Sequence, residues 1–167
     1  MLVDALIVID MQNGVLLDNE QEIYRREQLI NLVNQRISLY RSQGRKIIFV
    51  QHNDPWLKKD SQDWKLIPEL NIEIEKDNFI DKTHANSFYK TNLQELLEEV
   101  KVTSLEFCGA QTEFCVNTTV VMAHGLGYKC YMKSGATSTY DNAQMTAKET
   151  VEFYEEHLWK GRFIEFY

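Results

Sequence analysis

Continuous apolar runs of strand length recur along the chain, and segments with helical periodicity separate them. The runs are ALIVID (5–10), KIIFVQH (46–52), TSLEFCG (103–109) and YKCYMK (128–133). Near-continuous apolar strands, rather than alternating ones, are typical of a parallel sheet that is covered on both faces. Strands that alternate with helices join as right-handed β-α-β units. The pattern therefore predicts an α/β fold.

Helical spacing of apolar residues predicts four helices between and after these runs. They are expected from about Glu20 to Ser42, after Thr91, from near Cys115 to Gly125 or Gly127, and from Asp141 or Asn142 to Leu158. Thr91 and Gln94 have the spacing of a capping box. The segment RFIEFY (162–167) is predicted to be a closing strand.

Composition narrows the classes of partner. The 167 residues suit one domain, 1–167, and 44% of them are hydrophobic. The net charge is −7 and no basic stripe is present, so neither nucleic acid nor an anionic membrane surface is expected as a partner. No apolar run approaches the roughly 20 residues of a membrane span. The N-terminus lacks the basic region of a signal peptide, so a cytoplasmic location is expected.

Three polar positions fall at the carboxyl ends of predicted strands, where parallel sheets bind ligands. They are Asp10, the loop after His52, and Cys115. Cys115 lies where a strand passes into a helix, and a helix start favours a thiolate. Cys108 and Cys130 lie inside strands and are predicted to be buried. The odd cysteine count, without a C-x-x-C pair, does not suit a disulfide framework or a zinc site.

Two further residues have both a structural and a catalytic interpretation. Asp10 ends an apolar strand, where a carboxylate serves either as a cap or as a general base. Lys82, in DKTHANSF, is either a solvated surface group or a cation that stabilises a thiolate or an oxyanion. Spacing alone leaves both alternatives open for each residue.

Three blocks, in this order, resemble the isochorismatase-like cysteine hydrolases. They are ALIVIDMQNG (5–14), DKTHANSFYKTNL (81–93) and FCGAQTEFCVNTTVVMAHGLGY (107–128). The third contains a G-x-x-T-x-x-C-V pattern followed by a helix of small residues, and is the most specific. The resemblance covers nearly the whole chain. It implies a three-layer, Rossmann-like α/β fold with helices on both faces of a six-stranded, mostly parallel sheet.

The resemblance also implies the residues of a catalytic site. Asp10, Lys82 and Cys115 correspond to the family's catalytic triad. A cis peptide bond is implied between Ala110 and Gln111. The backbone N–H groups of Gln111 and Cys115 would then form an oxyanion hole, which typically contributes 10²–10³-fold in rate per donor. With Lys82 and a helix start beside it, Cys115 is expected to be partly ionised near neutral pH and to be alkylated fastest of the three cysteines.

The segment after the second apolar run departs from one branch of the family. Family nicotinamidases carry an Asp-x-His pattern and further histidines that bind a metal. Here His52 and Asp54 occur in the reverse order, so no metal or other cofactor is expected and His52 is interpreted as solvated or structural. The pocket is expected to be lined by residues near the triad and in this loop. These are Gln12, Asn53, Trp56 and Phe88.

Together these features predict a cysteine-dependent hydrolase that cleaves an amide, ureido or carbamoyl C–N bond of a small molecule through a covalent thioester. Three alternatives stay open: a vinyl ether hydrolase of the isochorismatase type, a non-catalytic member that binds a small molecule, and a redox protein that uses Cys115. The expected partners are the small-molecule substrate and other copies of the chain, in a dimer or larger homo-oligomer. The specific substrate is not indicated.

Overall fold

A parallel β-sheet lies at the centre of the computed structural model, which describes residues 2–167. In chain order the elements are β1 (Ala5–Ile9), α1 (Asn13–Leu16), β2 (Leu17–Asp18), β3 (Gln21–Glu22), α2 (Arg26–Ser42), β4 (Lys46–His52), β5 (Asn78–Lys82), α3 (Leu93–Glu99), β6 (Ser104–Ala110), a π-helical segment (Thr112–Val116) that continues as α4 (Asn117–Gly125), β7 (Lys129–Met132), β8 (Thr137–Ser138), α5 (Ala147–Glu152), a second π-helical segment (Phe153–Trp159) and β9 (Glu165–Phe166). Within residues 2–167, no helix is both long enough and apolar enough to cross a membrane.

Six strands follow one another across the sheet in the order β5-β4-β1-β6-β7-β9, and each neighbouring pair is parallel. The short strand β8 pairs with the end of β6, beyond the part of β6 that pairs with β7, and makes the sheet seven-stranded. The predicted α/β fold with a mostly parallel sheet is therefore confirmed, and β8 is an addition to the six expected strands. All five residues of β1 are fully buried, as its continuous apolar sequence indicated.

The strand order reverses beside β1. The chain leaves β1 for β4 and β5 on one side, and then crosses to β6 on the other side. The segments that follow β1 and β6 therefore diverge at the carboxyl edge of the sheet, which opens a crevice between them. Asp10 follows β1 directly and Gln111 follows β6 directly. The topology thus brings the ends of two distant sequence blocks to one point.

The first two predicted helices differ from the structure at their starts. Helix α2 begins at Arg26, later than expected, because residues 17–22 form the hairpin β2–β3 instead. The tip residues of this hairpin, Asn19 and Glu20, have φ angles of 47° and 65°, as a tight turn requires. The predicted capping box at α3 is wrong. The Thr91 hydroxyl donates to the carbonyl of Ser87 and accepts the N–H of Leu93, and the Gln94 side chain donates to Glu98 instead of reaching back to Thr91.

The last helix also begins later, at Ala147. Its capping box is formed by Thr146, whose hydroxyl accepts a hydrogen bond from the backbone of Glu149, while the Glu149 carboxylate accepts one from the backbone of Thr146. The polar residues predicted to start it form a turn instead. The Asn142 side chain accepts backbone N–H groups two and three residues later, and Asp141 accepts the N–H of Ala147.

Candidate functional site

The three residues that the resemblance assigned to catalysis lie together at the crevice. The Lys82 ammonium donates to Asp10 Oδ2 at 2.7 Å and to Cys115 Sγ at 3.2 Å. Asp10 follows β1, Lys82 ends β5, and Cys115 lies in the π-helical segment after β6. Because β4 separates β5 from β1 in the sheet, the long side chain of Lys82 has to reach past the end of β4. One ammonium therefore joins a carboxylate and a sulfur from three separate elements.

The ion pair between Asp10 and Lys82 is buried, so both charges carry a large desolvation cost. Each residue is 1% exposed, so each charge has lost nearly all of its hydration. A charge in such a place is retained only when an opposite charge compensates it. Cys115 is partly exposed, so the sulfur lies between the buried ion pair and the solvent. The arrangement presents a nucleophile to an incoming molecule with an acid–base pair behind it.

His52 contacts this cluster, which agrees with the structural rather than the solvated interpretation of His52. The Lys82 ammonium lies 3.2 Å from His52 Nδ1, and His52 Nε2 lies 3.1 Å from Asp54 Oδ2. A lysine ammonium only donates, so Nδ1 must accept, and the ring proton lies on Nε2 and is donated to Asp54. The three N–H groups of Lys82 thus point to three acceptors. This fixes the direction of the ammonium towards the sulfur.

Burial and the Asp10 carboxylate raise the pKa of the Cys115 thiol to about 12, although Lys82 acts in the opposite direction. This direction is opposite to the one expected from Lys82 and the helix start alone. Cys115 is the fourth residue of the π-helical segment and so lies in its first turn, as predicted, but burial is the largest effect on the pKa of the thiol. The resting sulfur is therefore a protonated thiol, and a base has to remove its proton before attack.

A cavity of about 640 Å³ opens above the cluster. Its lining comes from the loops after β1, β4 and β6 and from the β2–β3 hairpin. The lining residues are Asp10, Gly14, Val15, Leu17, Asp18, Asn19, Glu20, His52, Asp54, Trp56, Leu57, Asp63, Gln111, Phe114 and Cys115. A volume of this size suits a small molecule. Three members of the cluster line it directly, namely Asp10, His52 and Cys115.

One of the four predicted lining residues, Trp56, lines the cavity, and the other three do not. The Gln12 side chain is fully buried and donates to the carbonyls of His52 and Trp64, so it fixes these loops instead. The Asn53 amide donates to the carbonyl of Lys82. Phe88 is buried in the core and stacks on a tyrosine ring.

The loop that carries Gln111 borders the cavity. The peptide bond between Ala110 and Gln111 is cis. The Gln111 carbonyl accepts the N–H groups of Phe114 and Val116, which holds this loop against the start of the π-helical segment. Gln111 lines the cavity beside Cys115. No group of three or more His, Cys, Asp or Glu residues in the described part of the chain could hold a metal ion.

Gly109 holds β6 close to the strand that leads into Asp10. Its φ is +123°, and a Cβ at this position would lie 2.0 Å from the carbonyl oxygen of Ile9. We expect Gly109→Ala to lower the free energy of unfolding by about 3 kcal/mol, through backbone overlap and an unfavourable φ. Chemical denaturation measures this loss, and activity is expected to fall with it because β1 must move.

Gly125→Ala is the matched control for that substitution. Gly125 ends α4, a Cβ added to it would meet no atom within 4 Å, and its φ is not in the left-handed region. The same added methyl group is expected to change stability by less than about 1 kcal/mol there. Equal stability of the two variants would contradict the assigned role of Gly109.

A family model, a solved structure and two relatives were found to be similar to this chain. A family model described as the isochorismatase domain matches residues 4–156. A solved structure described as an isochorismatase family protein is 47% identical, with a TM-score of 0.94, over 98% of this chain and 96% of that chain. Nicotinamidase 3 of Arabidopsis thaliana is 27% identical over 82% of this chain and 74% of that protein. A "Probable inactive nicotinamidase" of the same plant is 30% identical over 74% of each.

Proposed function

The chain belongs to the isochorismatase family, and from this premise we propose that it is a cysteine-dependent hydrolase that cleaves a C–N bond of a small amide, ureido or carbamoyl compound. The observation that carries the proposal is the Lys82 ammonium, which contacts both the Asp10 carboxylate and the Cys115 sulfur. Family membership does not decide the chemistry, since a relative named as a nicotinamidase and one named as a probable inactive nicotinamidase are 27% and 30% identical to this chain. The residues at the site have to decide it.

The first step in the proposed mechanism generates the nucleophile. The Cys115 thiol transfers its proton to the Asp10 carboxylate, and the sulfur attacks the carbonyl carbon as the proton leaves. The Asp10 carboxylate and the Cys115 sulfur both contact the Lys82 ammonium, which holds the proton donor and the proton acceptor next to each other. Lys82 donates to the sulfur throughout, so the anionic sulfur keeps a cationic partner after Asp10 is neutralised.

The second step places negative charge on the former carbonyl oxygen. We assign the N–H groups of Gln111 and Cys115 as its donors, because both residues line the cavity where the sulfur is presented. Preorganised donors of this kind are most effective where water is excluded.

Breakdown of this intermediate releases the amine. The protonated Asp10 donates its proton to the nitrogen, the C–N bond breaks, and the acyl group remains on Cys115 as a thioester. Water then attacks the thioester, Asp10 accepts a proton from it, and the C–S bond breaks. The thiol recovers its proton from Asp10, so one water is consumed and one amine and one acid are formed.

Two alternatives are less well supported by the site. Cleavage of a vinyl ether needs acid catalysis but no sulfur nucleophile, so it would leave the contact between Lys82 and Cys115 without a role. A protein that only binds a ligand would have no need of a buried Asp–Lys pair, and such pairs are often no more stable than apolar replacements. Retention of both features favours covalent catalysis.

A substrate panel tests the proposal. Small primary amides, ureido compounds, carbamates and one vinyl ether are incubated with the protein, and released ammonia and the acid product are measured. We expect ammonia release from at least one C–N class, and we expect that release to survive dialysis against a chelator. Cleavage of the vinyl ether alone, or ligand binding without turnover of any compound, would contradict the proposal and favour one of the alternatives.

A further inference from the structure

The cavity above Cys115 has an unbalanced charge. Its acidic lining residues are Asp10, Asp18, Glu20, Asp54 and Asp63. Among the described residues, neither a lysine nor an arginine belongs to this lining. The whole chain has 25 acidic and 18 basic residues. If charged residues were distributed evenly, a lining with five acidic residues would be expected to contain some basic residues as well. The distribution of charge is therefore one-sided at the place where a substrate enters.

Two of the five carboxylates are already compensated. Asp10 pairs with the Lys82 ammonium at 2.7 Å. Asp54 accepts the backbone N–H groups of Trp56 and Leu57 through Oδ1 and lies 3.1 Å from the His52 ring through Oδ2. These contacts hold the loop after β4 in place. Asp54 therefore has partners on both oxygens, whereas the charge of Asp10 is compensated but its Oδ1 has no donor within the described residues.

The other three carboxylates have no ion-pair partner within residues 2–167. Asp18 accepts only the side-chain amide of Asn19, and Glu20 and Asp63 accept no side-chain hydrogen bond or ion pair in that part of the chain. Asp18 and Glu20 lie on the β2–β3 hairpin, whereas Asp63 lies in the loop between β4 and β5. A Cβ on Gly14 would lie 2.8 Å from Asp63 Cβ, so Asp63 is packed closely against α1. We call Asp18, Glu20 and Asp63 the acidic rim.

Independent features of the same cavity indicate a ligand. Asp10 lines it and is 1% exposed, yet Asp10 Oδ1 has no hydrogen-bond partner within the described residues. A buried carboxylate oxygen without a donor is unfavourable, so a donor from a bound molecule would improve it. Trp56 and Phe114 also line the cavity and are 91% and 57% exposed. Aromatic faces of this kind attract cations.

Resting on the proposed hydrolase function, we propose that the substrate carries a positively charged group, an ammonium or a guanidinium, which the acidic rim and the faces of Trp56 and Phe114 hold while the scissile carbonyl group lies at Cys115. The rim supplies three negative charges that no cation of the described residues offsets. It therefore attracts a cationic compound and repels an anionic one, which is a discrimination between substrates as well as a source of affinity.

Charged thiol reagents test this without any need for turnover. Three methanethiosulfonates are used: the neutral methyl, the cationic trimethylammonioethyl and the anionic sulfonatoethyl reagent. In each, the Cys115 sulfur attacks the sulfenyl sulfur, a disulfide forms and methanesulfinate leaves. The rate constant of each reagent with Cys115 is divided by the rate constant of the same reagent with 2-mercaptoethanol, which corrects for its intrinsic reactivity. Peptide mass mapping confirms that Cys115 is the labelled residue. We expect the cationic reagent to exceed the anionic one by about tenfold or more at low salt, and by much less in 1 M NaCl.

A pair of triple variants separates the rim from the net charge of the protein. Asp18→Asn, Glu20→Gln and Asp63→Asn together are expected to remove most of the preference. The control combines Glu75→Gln, Glu95→Gln and Glu99→Gln, which change the net charge equally but lie outside the cavity lining. This control is expected to keep the preference. Circular dichroism checks that both variants fold.

The outcomes are distinct. Equal rates for the cationic and anionic reagents in the unmodified protein would overturn the inference, and so would an equal loss of preference in both triple variants. Absence of ammonia release from every compound, with the reagent preference intact, would instead remove the proposed function and leave the cation-selective cavity. Among amides of equal size that end in an ammonium, a methyl or a carboxylate group, the ammonium compound is expected to have the highest kcat/KM.

Discussion

Cys115→Ala is expected to abolish C–N hydrolysis while the protein stays folded. The sulfur is the proposed nucleophile, and removal of one member of a catalytic unit typically costs about 10⁴-fold or more in kcat. Because Cys115 is partly exposed and lines the cavity, loss of the sulfur leaves a space that solvent can enter, so little stability is lost. The measurements are ammonia release with the best compound of the panel and thermal unfolding followed by circular dichroism.

Cys130→Ala provides the matched control, because it makes the same chemical change at a buried cysteine in β7, outside the cavity lining. It is expected to retain activity and to lose about 1 kcal/mol of stability from the space it leaves. Rapid quenching of the unmodified protein during turnover should also show the mass of an acyl group on the peptide that contains Cys115. Turnover near the normal rate in Cys115→Ala would refute the covalent mechanism.

The central strands and the edge strand β9, which lies within the predicted segment 162–167, are predictable from the sequence, whereas β5 and the β2–β3 hairpin are not. Strands β1, β4, β6 and β7 are continuous apolar runs, since they lie inside a sheet that helices cover. Strand β5 carries the polar and exposed residues of a sheet edge, and Phe79 in it is 40% exposed, so its pattern has no clear period. The β2–β3 hairpin has only two residues per strand, and all four belong to the exposed surface. Hydrophobic periodicity carries no signal for such elements.

The sequence also gives no indication of the buried ion pair between Arg36 and Glu106. Glu106 lies in β6 with no exposed surface, and Arg36 of α2 donates to its two carboxylate oxygens at 2.7 and 2.8 Å. The Tyr40 hydroxyl donates to Glu106 as well. In sequence, Glu106 is a single acidic residue within an apolar run, and Arg36 is a polar residue in a helix. Since 70 residues separate the ion pair, only the tertiary structure reveals it.

The catalytic residues are indicated by their motifs rather than by their spacing. Asp10 and Lys82 are 72 residues apart, and no local pattern indicates that they touch. The contact between His52 and Lys82 cannot be predicted from the sequence for a related reason. The only local pattern that involves His52 is an incomplete metal-binding motif, and this motif carries no information about Lys82. In the sheet, His52 pairs in register with Lys82 across β4 and β5, which brings its ring to the ammonium. A contact that depends on strand register is not readable from one segment.

The charges around Cys115 lead to a second large and specific expectation. Asp10→Asn should make Cys115 more reactive towards iodoacetamide at pH 8, and yet abolish hydrolysis. The Asp10 charge raises the pKa of the thiol, so its removal lowers that pKa and increases the thiolate fraction, by about tenfold for each unit. Hydrolysis is lost nonetheless, because asparagine neither accepts the thiol proton nor protonates the leaving nitrogen.

Lys82→Met should act on the thiol in the opposite direction. Lys82 lowers the pKa of Cys115, so its removal raises that pKa and slows alkylation. It also leaves the buried Asp10 charge without its partner, which is expected to cost about 3–5 kcal/mol of stability. Asp10→Asn combined with Lys82→Met removes both charges and should recover much of that loss. Alkylation rates at several pH values, with peptide mapping, and urea denaturation give the two readouts.

The result for Asp10→Asn can contradict the proposed role of Asp10. If Cys115 reacted more slowly in Asp10→Asn than in the unmodified protein, Asp10 would activate the resting thiol electrostatically. That result would exclude Asp10 as the proton acceptor.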